Sequence, residues 1–145
     1  MPGIVVGVDG SGGSAQALEW AMKEAAARRT VLTVLTVHQV AAGHWTGTPL
    51  VYPEDRAQQE KARAAAEGAV AKIAADLGDA APAQVHVHAV SGLAARELIA
   101  ASADADLLAV GSRGAGGFAG LLMGSVSTQV VNHAACPVVV VPGNR

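Results

Sequence analysis

Cysteine occurs once in the 145-residue chain, at Cys136, so no disulfide framework can staple the chain internally. Aromatic residues make up only 3%, which leaves alanine, valine and leucine to build any core. Charged residues reach 15% against 51% hydrophobic ones, a balance too apolar for a disordered chain. The formal net charge is -2 and no basic block exists, which argues against capture of nucleic acid. No apolar run approaches the ~20 residues that span a bilayer. Nor does an apolar N-terminal segment lead to a small-residue cleavage site. The expectation is a soluble, cytoplasmic protein without a membrane partner, folded as one domain over residues 1–145.

Several motifs are also missing. There is no Gly-x4-Gly-Lys-Ser/Thr, so the chain is not a P-loop protein. Gly114-Ala115-Gly116-Gly117-Phe118-Ala119 fits Gly-x-Gly-x-x-Ala, but a dinucleotide fingerprint belongs between the first strand and its helix. A response-regulator reading needs an acceptor Asp after the third strand and a late lysine. That strand ends at Ala89-Val90-Ser91, and no lysine follows Lys72. His86 and His88 share one face of a strand but lack a third metal ligand. Cys136 has His133 three residues before it, yet reads as a small buried residue at a helix end rather than a nucleophile. His38 and His44 belong to a loop near the expected site, and His133 reads as structural.

What is present is regular alternation. Residues 4–8, 31–37, 85–90, 107–110 and 138–141 read as short apolar strands. Residues 14–28, 54–77, 93–103 and 125–135 read as helices. Ser14 is the expected N-cap of the first helix, and Leu18, Ala21, Met22 and Ala25 fall on one of its faces. Gly78 ends the second helix and Pro137 bars continuation of the last. The stretch 38–53, with Gly43, Gly47, Pro49 and Pro53, is long for a loop in a compact α/β protein. The pattern implies an α/β fold: a single open, five-stranded parallel sheet with helices on both faces, Rossmann-like. Glycine-rich loops follow strands 1 and 4. If both serve one site at the strand C-terminal ends, those strands are neighbours, which favours the order 3-2-1-4-5 over the flavodoxin order.

The informative segment is Gly111-Ser112-Arg113-Gly114, a spacer, then Gly124-Ser125-Val126-Ser127. It is a loop that leaves a buried strand and ends at a helix start. Glycines permit close backbone approach, and the helix start supplies free N–H groups and a partial positive charge. Ser125 and Ser127 add hydroxyls and Arg113 adds a cation, so the segment reads as a polyphosphate cradle.

The pattern Gly-x2-Gly-x9-Gly-Ser, carried by Gly111, Gly114, Gly124 and Ser125, resembles the nucleotide motif of ATP-binding universal stress proteins. The start, Ile4-Val5-Val6-Gly7-Val8-Asp9-Gly10-Ser11, and the end, Cys136-Pro137-Val138-Val139-Val140-Val141-Pro142, are similar to the same family. The resemblance implies ATP with Mg²⁺, bound in a regulatory role in stress adaptation and without a catalytic residue. It places Asp9 beside the adenosine and the backbone of Val37 against adenine. It places Gly111, Arg113, Gly114, Gly124, Ser125, Val126 and Ser127 around the phosphates, with Val8 and Val110 at the flanking strand ends. A cap on the following helix is the alternative role for Asp9, and the two roles are compatible. Cyclic AMP as ligand, slow ATP hydrolysis and a ligand-free interaction module remain open alternatives. The last strand, Val138, Val139, Val140 and Val141, is an uncharged edge in the order 3-2-1-4-5. Both edge chemistry and resemblance then imply a homodimer through it.

Overall fold

Consecutive rather than alternating apolar residues put hydrophobic side chains on both faces of a strand, as a sheet covered on both sides requires. The strands are β1 (Ile4–Val8), β2 (Leu32–Gln39), β3 (Val85–Gly92), β4 (Leu107–Gly111) and β5 (Val138–Val141). The helices are α1 (Gly12–Arg28), α2 (Pro53–Leu77), α3 (Ala94–Ser102) and α4 (Ser125–His133). The structure, a computed structural model, describes residues 3–10, 12–39, 53–112 and 124–143. All strand pairs are parallel and the sheet order is β3-β2-β1-β4-β5, as the two-loop argument required. The flavodoxin order is excluded.

Two cores result. On one face Ile4, Val6, Leu32, Val34 and Ala109 meet Leu18 and Met22 of α1. On the other, Val5, Leu35, Leu108 and Val110 meet Leu98 of α3 and Val130 of α4. At Gly7 a Cβ would stand 2.8 Å from a Leu98 methyl, so the missing side chain lets α3 lie close to β1. The inner face of α2 changes size along its length. Val70, Ile73 and Leu77 pack on the sheet toward its C-terminal end, whereas its middle turns offer Ala62 and Ala66.

Helix ends depart from expectation. α1 begins at Gly12, so Ser14 is not its N-cap; it lies buried in the first turn, where its hydroxyl accepts the Asp9 N–H at 3.2 Å. At the other end, the Arg29 and Thr30 N–H groups bond the Ala26 and Ala25 carbonyls at 3.2 and 3.0 Å. This closure puts Arg29 in the left-handed region at φ 54°. α4 stops at His133, two residues short of the expected 135. The Ala135 N–H is instead drawn to the buried Ser102 hydroxyl at 2.8 Å, which itself donates to the Ile99 carbonyl at 2.6 Å. Cys136 therefore stands outside the helix and is only partly buried.

The two sheet edges are treated differently. The Gln84 carbonyl accepts the Leu32 N–H at 3.1 Å, so on β3 even-numbered carbonyls face β2 and Ala89 belongs to the outer row. Gln59 of α2 donates its amide to that Ala89 carbonyl at 2.9 Å and accepts from the Ser91 hydroxyl at 2.8 Å. On β5, the Pro137 and Val141 carbonyls accept from Leu108 and Ser112 on the β4 side, at 3.0 and 2.9 Å. Val138 and Val140 thus turn their backbone groups to the open edge.

Candidate functional site

Parallel strands end together, and the sequence-predicted residues gather along that end because β1 and β4 are neighbours. Gly111 closes β4 beneath the first turn of α1. A Cβ there would lie 2.9 Å from the Gly13 carbonyl oxygen and 3.3 Å from the Ser14 nitrogen, so only glycine lets the two loops approach this closely. Gly10 takes the left-handed conformation at φ 85°, which turns the chain from β1 into α1. Asp9, just before it, is exposed.

The start of α4 is built from backbone. Gly124 is its N-cap, in extended conformation and without a side-chain cap. The Thr128 N–H closes the first helical bond to the Gly124 carbonyl at 3.0 Å. The preceding N–H groups, of Ser125, Val126 and Ser127, are the orphan donors of a helix start, at the positive end of its dipole. The Gly124 N–H bonds the Ser112 carbonyl, which ties together the two ends of the loop between them. The buried Ser127 hydroxyl strengthens that tie, shared between the Ser112 and Gly124 carbonyls at 3.2 and 3.1 Å. Sequence reasoning gave this hydroxyl to a ligand; here it faces carbonyls of its own chain, which leaves the Ser127 N–H as its outward donor. Arg113, Gly114 and His44 lie outside the described residues.

The remaining predicted residues split between faces. Val8 belongs to the α1–α2 side, whereas Val37, Val110 and Val126 pack in the α3–α4 core. Sequence reasoning missed a cleft of about 290 Å³ on the α1–α2 side, at the ends of β1 and β2. Thr36, only 5% exposed, lines it, as do Val8, Asp9 and Leu18. Its far wall is four alanines of α2, at 62, 65, 66 and 69. Their spacing of one helical face was the one signal in the sequence.

Other titratable groups stand apart from this end. His86 and His88 are exposed on the edge strand β3, and no group of three or more potential metal ligands occurs among the described residues. His133 is exposed on α4 rather than structural in the core. Burial, and secondarily the charge of Asp106, push the Cys136 thiol above its ordinary pKa, the opposite of what a nucleophile needs. Among the described residues no helix is long and apolar enough to cross a membrane.

Comparison with known proteins gives this architecture its relatives. The universal stress protein family profile matches residues 2–142. A universal stress protein of Mycolicibacterium smegmatis is 37% identical over 98% of this chain and 48% of its own length. One of Mycobacterium tuberculosis is 34% identical over 96% of this chain and 47% of its own. The chain thus spans about half the length of the curated relatives it matches. Among solved structures, universal stress protein UspA from Lactobacillus plantarum superposes with a TM-score of 0.77 at 25% identity, over 97% of both chains. A universal stress protein solved in complex with cAMP has a TM-score of 0.65 at 28% identity, over 97% of this chain and 96% of that one. The chain belongs to the universal stress protein family.

Proposed function

We propose that this protein binds an adenine nucleotide, ATP in preference, across the carboxyl ends of β1, β2 and β4, and serves as a regulator in stress adaptation. The observation that carries this reading is the backbone construction of the α4 start. Three orphan N–H groups and a helix dipole stand at the end of a glycine-rich loop, beside the Gly111 and Gly13 backbones. The relative solved with cAMP supports the adenine nucleotide class.

In this reading the N–H groups of Ser125, Val126 and Ser127 receive phosphate oxygens. Gly111, Gly114 and Gly124 keep side chains out of the way, and Arg113 adds charge-assisted bonds. Asp9 faces the ribose, and the Val37 backbone lies by the base, with Val8 and Val110 as the strand ends beneath. The donor set fits a polyphosphate. Magnesium would be held chiefly by the triphosphate and water. Nothing in the described site supplies a general base at the phosphate end, so binding without strong turnover is the expected behaviour. Residues 1–145 act as one domain, in the cytoplasm, as a homodimer with two separate sites.

The experiment is calorimetric titration of the purified protein with ATP and with cAMP, beside a Gly124→Val variant whose fold is verified by circular dichroism. ATP should bind the wild type and lose its affinity in the variant, because a branched Cβ enters the phosphate space. Equal affinity in both proteins sinks the reading. Tighter binding of cAMP than ATP selects the second reading, a cyclic nucleotide binder, which the relative's complex favours.

A further inference from the structure

We infer that His86 and His88 of β3 form a two-imidazole chelate for a divalent transition-metal ion of the nickel and zinc class, on the face of the sheet turned away from α1 and α2. The site stands apart from the strand ends and does not rest on the nucleotide reading above.

The strand fixes where both side chains go. Val85 and Val87 pack into the α1–α2 core, and the Ser91 hydroxyl meets Gln59 of α2 on the same side. Side chains alternate along a strand, so His86, His88 and Val90 share the opposite face. Val90 packs against the α3–α4 core there, but α3 lies chiefly on β2 and β1. His86 and His88 are exposed, with Thr33 of β2 beside the first and Leu35 beside the second. An unbroken register from Leu32 and Val85 to Gln39 and Gly92 holds β3 to β2, so the backbone beneath the pair is firmly placed.

Two residues apart on a strand, the side chains start ~6.6 Å from each other. Imidazoles at that separation can lean together and direct one nitrogen each at a common ion, with metal–nitrogen bonds of about 2.1 Å. Neither ring has a hydrogen bond or ion pair among the described residues, so their nitrogens are available. Imidazole selects late first-row ions over Mg²⁺ and Ca²⁺, which take oxygen ligands. Leu35 offers no competing donor beside His88. The Thr33 hydroxyl beside His86 can accept the second ring N–H and orient that imidazole. No third protein ligand joins the pair among the described residues, so water fills the remaining positions and the ion stays exchangeable.

Calorimetric titration of the purified, untagged full chain with Ni²⁺ and with Zn²⁺ tests the chelate; Cu²⁺ is avoided because the free Cys136 thiol would reduce it. One ion should bind per chain. His86→Thr and His88→Thr should each weaken binding roughly tenfold or more, since threonine suits an exposed strand position but ligates poorly. His133→Gln, at an exposed position of α4, should bind as the wild type does. A wild type that binds neither ion overturns the inference, as do folded β3 variants of wild-type affinity or a loss confined to His133→Gln. If the β3 variants fail to fold, nuclear magnetic resonance of the wild type decides. Ni²⁺ should perturb the signals of His86 and His88 first, and a perturbation that spares residues 85–89 overturns the site.

Discussion

Ser127 shows how a side chain can belong to a site without touching a ligand. Its hydroxyl holds the two ends of the glycine-rich loop together, yet each carbonyl it meets has another partner: Gly124 N–H for Ser112, and the Thr128 N–H and hydroxyl for Gly124. Ser127→Ala should therefore cost only about 1 kcal/mol by urea denaturation. ATP affinity should stay within about threefold, whereas loss of a direct phosphate contact would cost roughly tenfold or more. Cys136 makes a second residue-scale case. Burial is the larger cause of its raised pKa, so Asp106→Asn should bring the pH midpoint of iodoacetamide alkylation down only part of the way. The folded protein holds that proton more tightly than the unfolded chain. Stability should thus fall as pH rises from the ordinary thiol range through the folded value. An alkylation midpoint at the ordinary cysteine pH would contradict both statements.

At the scale of elements, the strands were legible because their signal is positive and local. Short apolar runs between glycine-rich or polar segments specify parallel strands, and paired glycine loops specify which strands adjoin. The helix start at Gly124 and Ser125 was legible for the same reason. Helix ends were not, because they are decided by contacts distant in sequence. Ser14 reads as a cap until Asp9 claims its hydroxyl, and α4 reads two residues too long until Ser102 takes the Ala135 N–H. The cleft was hidden for a different reason: alanine marks it by what its side chain lacks. The end of α1 gives an element-scale test. Arg29 holds a left-handed conformation that costs a residue with a Cβ roughly 1 kcal/mol or more, and its backbone already makes the closing bond to Ala26. Arg29→Gly should raise stability by about 0.5–1 kcal/mol in denaturant titration, and an unchanged or lower midpoint would refute that account.

For the whole molecule, the proposed assembly through the edge strand β5 can be tested at single residues. Its outer row belongs to Val138 and Val140, whose backbone groups face away from β4, while the residues facing β4 are 137, 139 and 141. Val140→Pro should thus remove an outward donor, leave the β4–β5 bonds in place and shift the protein from dimer to monomer. Val139→Pro would break the sheet itself and is the destabilising control. Light scattering at micromolar concentration checks this; a monomeric wild type, or a Val140→Pro variant that stays dimeric, would exclude pairing through β5.

Gln59 then acquires a meaning beyond packing. A sheet with two bare rims has two points of growth, and copies adding rim to rim would extend without end, as fibres do. Here the β3 rim has its Ala89 carbonyl occupied by the Gln59 amide, whose oxygen accepts from the Ser91 hydroxyl. In the proposed pairing through β5, an obstacle at the β3 rim favours a closed pair over a growing fibre.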